Sequence, residues 1–344
     1  MREGPVEQGW ARVGIYDEEF SAVNLDQAWI ISGGLRVPPP LSRLRLKQWQ
    51  HFALVLPELY VGLAVVDPGF GLGTSWCHVV QRDAGYGGFE HRHQGPRVKV
   101  HVSRQLWDGV TRAGVKGYHV EIKNALSRGE HRIQLAIDAR RDRPAVRAAL
   151  RCVHDLAAIR PLVAVLPVGE GRAMYTHKVP LPLEGAITVG QRSYTATPDR
   201  CFALLDIHKA HYPRHTFWNW ATLVGRDARG RVLGLNLTRN VNPDDRELNE
   251  NALWVDGQLR RLGAARFELD RDDVLRPWRV RTLCGAVDLV FTPRGERSER
   301  LNLWLMRSMF HQLHGTFSGT VRSVEGVLDI DRLFGLCEDH DVRW

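Results

Sequence analysis

Apolar residues recur at every second position along most of this chain, and that period decides the fold class. Val98, Val100 and Val102 share one face of an extended segment, as do Tyr118, Val120 and Ile122. Ile133, Leu135 and Ile137 repeat the pattern, with Arg132, Gln134 and Asp138 projecting the other way. A period of two sends alternate side chains to opposite faces of a strand, so one face is built for burial. The second half continues with Leu233, Leu235 and Leu237, then Val287, Leu289 and Phe291. Leu301, Leu303 and Leu305 alternate likewise with Asn302, Trp304 and Met306. Turn signals separate the segments. Asp227-Ala-Arg-Gly230 reads as a hairpin loop, and Pro293-Arg-Gly295 as a break between two strands. Many short strands with regular turns predict antiparallel barrels or sandwiches rather than βαβ units.

Helices are few. The spacing of Val146, Leu150, Val153 and Leu156 behind Pro144 predicts one over 142–157. At 344 residues the chain outgrows a single hydrophobic core, so two domains are expected. Arg160-Pro161 places their boundary near residue 165. The reading is an extended N-terminal segment over 1–46, which includes Val37-Pro-Pro-Pro40, a first β domain over 47–165 and a second over 166–344.

Composition removes several function classes. A 44% hydrophobic and 25% charged make-up is that of an ordinary globular protein. Basic residues exceed acidic ones by 47 to 39, a net charge of +8. The arginines are scattered, however, and no reading element accompanies them, so nucleic acid is not an expected partner. Five cysteines, odd in number and without a CxxC pair, point to free thiols in a reducing compartment. No leader-like apolar run follows the charged start, and no stretch of about 18 apolar residues spans a membrane. The cytoplasm is the expected address, with room only for a transient membrane contact. Phosphate-loop, nucleophile-elbow, zincin and dinucleotide-binding motifs are all absent.

One window carries dense chemistry: Asp206-Ile-His-Lys-Ala-His-Tyr-Pro-Arg-His-Thr-Phe-Trp-Asn-Trp220. Counting in twos from Phe202 and Leu204 puts Asp206 and His208 on the same strand face as those apolar residues. If that face is the core, a carboxylate and an imidazole point inward, and a carboxyl whose pKa is raised by burial becomes a general acid. If the strand ends at Leu205, Asp206 merely opens a polar loop. His208, His211 and His215 have helical ligand spacing, but Pro213 stands inside the triplet, so no metal is expected. Trp218 and Trp220 share a face and Asn219 takes the other; the two indoles suit a barrel wall or a box that stabilises a cation.

A second polar knot, Asn249-Glu-Asn-Ala-Leu-Trp-Val-Asp-Gly257, brackets Glu250 with two amides. It reads either as a hydrogen-bonded network holding a ligand or an acid, or as an Asx-turn entering a strand. Asp206 and Glu250 are therefore the candidate catalytic groups. His208, His215, Trp218, Asn219, Trp220, Asn249, Asn251, Trp254 and Asp256 are the candidate ligand contacts. Near the end of the chain His314-Gly-Thr-Phe-Ser-Gly319 reads as a kinked strand, and Glu338-Asp-His340 as an exposed polar terminus.

His215-Thr-Phe-Trp-Asn-Trp220, the 249–257 knot, Gly315-Thr-Phe-Ser-Gly319, Gly335-Leu-Cys-Glu-Asp-His340, Trp49-Gln-His-Phe52 and Gly73-Thr-Ser-Trp76 together resemble a bacterial family defined by a domain of unknown function (number 2804). More distantly the pattern is similar to two-domain lipocalin-like carotenoid hydratases and tocopherol cyclases. The resemblance implies paired β-barrels and a lipophilic, isoprenoid-like ligand. In the enzymes of that group it also implies acid-driven addition, cyclisation or isomerisation. One reading is such an enzyme, with Asp206 or Glu250 protonating an alkene and Trp218 or Trp220 stabilising the cation, without metal or redox cofactor. A second is a non-catalytic carrier or sensor anchored by His208, Asn249 and Asn251. A third is a carbohydrate-active protein with paired carboxylates in a cleft.

Overall fold

The computed structural model describes residues 2–242, 245–303 and 306–343. Trp304 and Leu305 of the last alternation lie outside them. The described chain is mainly antiparallel β, as the alternation predicts. It divides into two compact units, Met1–Val165 with Glu170–His211 and Leu166–Gly169 with Tyr212–Trp344. Residue 165 falls inside the strand Leu162–Gly169, and the two long strands that follow it, Arg172–Val189 and Phe202–Ala210, are counted with the first unit.

In the first unit these two strands stand at the centre of the sheet. Val146–Val153, Glu130–Ile137, Tyr118–Ala125, Gly109–Val115 and Lys99–His101 follow on one side, and Lys47–Val55, Leu59–Asp67, Gly73–Gln81 and Gly87–Gly95 on the other. The sheet curls until Lys99–His101 lies against Leu59–Asp67. Its concave side is packed by Phe52, Leu63, Val120, Ile133, Val179 and Leu205. From the N-terminal segment, Gly14–Tyr16 adds a short strand beside Val163–Val165.

The helix expected over 142–157 is instead the strand Val146–Val153, with Ile133 opposite Leu150 and Leu135 opposite Ala148. A four-residue interval fits both periods. Ala148 and Cys152, small residues on the same face as Val146 and Leu150, are what turn it into a strand. Opposite it the long Arg172–Val189 strand bends at Gly185 (φ +120°), where a Cβ would meet the Ala149 carbonyl oxygen at 2.3 Å.

The second unit has its own curled sheet, in the order Gln258–Arg261, Ala252–Val255, Val232–Arg239, His215–Arg226, Gly326–Arg343, Met306–Ser323, Val287–Leu303, Trp278–Thr282, Ala265–Glu268. Ala265–Glu268 returns to touch Val232–Arg239, and Leu235, Leu253, Trp278, Leu289, Phe291 and Phe317 fill the concave side. The 227–230 loop closes its hairpin as expected, with Asp227 Oδ1 accepting from the Arg229 and Arg231 backbone N–H groups at 2.9 Å. Pro293-Arg-Gly295 does not end a strand. It is a bulge within the continuous Val287–Leu303 strand, a place where a missing N–H is tolerated.

Candidate functional site

Register decides what surrounds Asp206. Phe202–Ala210 lies between Arg172–Val189 and Lys47–Val55, so Asp206 faces Lys178 on one neighbour and His51 on the other, and His208 faces Thr176 and Trp49. Ala203, Leu205 and Ile207 point into the hydrophobic core. Asp206 and His208 therefore project from the opposite face, not into the core, and that face is buried as well.

There Lys178 Nζ donates to Asp206 Oδ1 at 2.6 Å and lies 3.0 Å from His208 Nε2. The same Nε2 is 3.2 Å from Asp206 Oδ1 and 3.3 Å from Thr176 Oγ1. Trp49, partly open to solvent, stacks on the imidazole with ring centroids 4.6 Å apart and planes 13° from parallel, and His51 packs against Trp76 at 5.4 Å.

Burial alone pushes the Asp206 carboxyl up, but Lys178, His208 and His51 outweigh it and hold the pKa well below the usual carboxylate range. The raised pKa expected of a general acid is overturned: Asp206 is an ionised anchor. Nε2 of His208 can accept a proton from Lys178 or donate one to Asp206, but not both, so the trio has two places for one proton.

In the second unit Trp218 and Trp220 share a face, as expected, and it too is the face turned away from Leu235 and the rest of the core. Each indole N–H is engaged: Trp218 donates to Glu338 Oε1 and Trp220 to Asn236 Oδ1, both at 2.7 Å. Glu338 also accepts from Gln312 Nε2 at 2.9 Å, and His340 packs edge-on to Trp218 with centroids 4.3 Å apart. Burial, with Arg297 and His311 adding, pushes His340 down to about 3. The expected exposed terminus is thus a strand in which Glu338 is buried and Asp339 and His340 are half-buried, with the Glu338 carboxylate and the His340 imidazole beside Trp218.

The remaining candidates separate. Glu250 is buried and accepts from the Thr238 hydroxyl at 2.6 Å. Asn249 Oδ1 accepts from the Asn251 N–H at 2.8 Å, an Asx-turn, while Asn251 bridges the Thr238 N–H and the Gly263 carbonyl. Those amides close backbone gaps. Asn219 donates to Asp339 Oδ1 at 2.5 Å. His215 is exposed and lies 3.1 Å from Asp341. Trp254 is fully buried. Asp256 is exposed with φ +48°, followed by Gly257 at +81°, in a two-residue hairpin loop, and its Oδ1 accepts from the Val232 N–H at 2.8 Å. The Asp256 carboxylate thus serves the turn. The structure brings together Asp206 and His208 in one unit, and Trp218, Trp220, Thr238 and Glu250 on one face of the other. The side chains that fill the core of the second sheet oppose a guest there.

A further polar chain, not anticipated from the sequence, runs inside the first barrel. Gln50 Nε2 donates to Asn124 Oδ1 at 2.8 Å, His131 Nδ1 lies 3.0 Å from that oxygen, and His131 Nε2 lies 3.1 Å from His154 Nδ1. The His154 and His177 rings are 6.0 Å apart. His177 Nδ1 hydrogen-bonds Glu19, whose other oxygen accepts from the Tyr175 hydroxyl at 2.7 Å and the Phe20 N–H at 2.8 Å. All seven side chains are buried. Burial pushes His131 down to about 3 and His154 well below its ordinary value, so both are neutral imidazoles. Among the described residues no group of three or more His, Cys, Asp or Glu is placed to hold a metal ion. No helix there is long and apolar enough to cross a membrane.

Comparison with known proteins adds a fold and a family. CghA aligns over 87% of this chain and 88% of its own with a TM-score of 0.55 at 10% identity. CghA with Sch210972 aligns over the same shares with a TM-score of 0.54 at 9% identity. NE1406 of Nitrosomonas europaea, provisionally named AttH, aligns over 87% of this chain and 92% of its own with a TM-score of 0.46 at 14% identity. At such identities the likeness to CghA is one of fold, two curled antiparallel half-barrel sheets in a lipocalin-like arrangement. No curated protein matches. The model of the family described as Domain of unknown function (DUF2804) matches residues 2–344, and the chain belongs to that family.

Proposed function

We propose that this protein binds a lipophilic, isoprenoid-like small molecule against the aromatic, charged face of its first sheet and acts on it by proton transfer. One observation carries the reading: His208 Nε2 stands within 3.0 Å of Lys178 Nζ and 3.2 Å of Asp206 Oδ1, beneath the Trp49 ring. Desolvating two charges costs several kcal/mol that the fold alone does not require, and coupled titratable groups beside aromatic rings are what acid–base sites are made of.

The trio also selects the chemistry. An ammonium is too weak an acid to protonate an isolated alkene, and Asp206 is held ionised. Alkene hydration from Asp206 is therefore disfavoured. The same groups suit a substrate with a polarised carbonyl. Lys178 hydrogen-bonds the oxygen, His208 takes a proton from the neighbouring carbon and returns it elsewhere, and Asp206 keeps the pair oriented. Isomerisation or cyclisation is the matching reaction class. The fold shared with CghA, which has been solved with Sch210972, supports a small-molecule partner.

Native mass spectrometry of protein from its own host is expected to find a retained lipophilic molecule. With that molecule as substrate, His208→Gln is expected to keep binding and lose about a hundredfold or more in turnover. Binding with no turnover in either form would make the protein a carrier. Turnover undiminished in His208→Gln would remove the trio from the mechanism.

A further inference from the structure

Away from the proton-transfer trio, an opening lies in the first unit between the turn at Phe70 and the 96–104 segment. It encloses about 460 Å³. One part of its wall is apolar, made by Phe70, Leu72, Val98 and Val100; the other carries Arg43, Lys99, His101 and Arg104.

The placement of Phe70 is costly. It is 62% exposed and sits at φ +56° between Gly69 at +83° and Gly71 at +73°, a left-handed conformation that a phenylalanine rarely adopts. The turn is nonetheless held firmly. Asp67 Oδ1 accepts from the Gly69 N–H at 2.9 Å, and Lys47 donates to the Pro68 carbonyl at 2.5 Å while its Nζ lies 5.1 Å from the centre of the Phe70 ring. A glycine at position 70 would make the same turn without strain, so the ring is there for contact.

The cations are unevenly matched. Arg104 pairs with Asp26, and Asp67 is committed to the turn. Arg43 and Lys99 have no ion-pair partner among the described residues. Behind the wall Lys209 donates to Gln48 Oε1 at 2.8 Å, and burial pushes this amine down to about 7. Negative charge arriving at the opening would favour its protonated form. Excess cations beside an apolar collar fit a molecule with a greasy body and an anionic head.

We propose that this opening is a binding site for a small amphipathic carboxylate, its chain against Phe70, Leu72, Val98 and Val100 and its head toward Arg43 and Lys99. The site does not depend on the trio at Asp206.

Calorimetric titration of the full chain with decanoate at neutral pH tests it. Saturable one-to-one binding is expected, at least about tenfold tighter than decanol of equal chain length and weakened by added salt. Phe70→Gly is expected to weaken decanoate about tenfold while leaving the melting temperature unchanged or higher. Arg43→Ala with Lys99→Ala is expected to weaken it similarly and to abolish the salt dependence, whereas His208→Gln leaves it unchanged. No saturable binding at millimolar decanoate, equal affinity for decanol, or affinity untouched by both sets of variants would each overturn the proposal. A loss of decanoate binding in His208→Gln would overturn the separateness of the two sites.

Discussion

Lys178 and Asp206 stand directly opposite each other on neighbouring strands, with Nζ 2.6 Å from Oδ1, and both side chains are buried. That pairing makes the carboxylate an anchor for the Lys178 side chain. Removing one partner leaves a buried charge uncompensated. Lys178→Met and Asp206→Leu are each expected to cost about 3–5 kcal/mol, and the double variant distinctly less than the sum. Urea denaturation of the four proteins measures the coupling directly. Additive losses would show that the two groups do not depend on each other.

Acid should destabilise this protein well before carboxylates protonate. Burial holds His131 and His340 down to about 3 and His211 down to about 4. Between those values and about 6.5 the unfolded chain binds protons that the folded one refuses, so stability falls as pH drops through that window. With His154, also held well below its ordinary value by burial, four histidines give a slope of about 5 kcal/mol per pH unit near pH 5. Asp206, depressed in the fold, adds its own loss below about pH 4. Lys209, lowered to about 7, acts in another window: stability rises as pH climbs from about 7 toward 10, where the unfolded lysine still carries its proton. Urea midpoints against pH check the slope, and His340→Gln should reduce it by one proton near pH 5.

Asp256 offers a test that separates a turn from a ligand contact. At φ +48° a glycine is at ease, and only the bond to the Val232 N–H would be lost. Asp256→Gly is expected within about 0.5 kcal/mol of the parent, while Asp256→Val, β-branched in a left-handed position, should lose about 1–2 kcal/mol. Thermal denaturation of both variants decides between them. A Val variant as stable as the parent would mean that the turn does not constrain this position.

Strands were easy to read where each has one polar face, as at Ile133–Ile137 and Val287–Phe291. Reading failed where the distinction vanished. Val146 and Leu150 satisfy two periods at once, and the small side chains of Ala148 and Cys152 carry no strong signal of burial. The candidate site was half legible. Asp206 and His208 stood out because they interrupt an apolar run, but Lys178 is 28 positions away and becomes their neighbour only through strand register. A signal existed: His177 and Lys178, adjacent in one strand, imply that both faces of that strand carry polar groups. Glu338 looks exposed in the sequence for a related reason. A charged triplet near a chain end looks solvated until pairing with 306–323 encloses it.

Glu19 precedes His177 by 158 positions, yet the two share a hydrogen bond deep inside the first barrel. On a ribosome the carboxylate emerges long before anything that can receive it. The strands around it have to close over a segment that has been waiting, or the segment has to thread into a nearly finished shell. Either order ties completion of this half to a contact spanning almost all of it, the kind of long-range closure that slows folding.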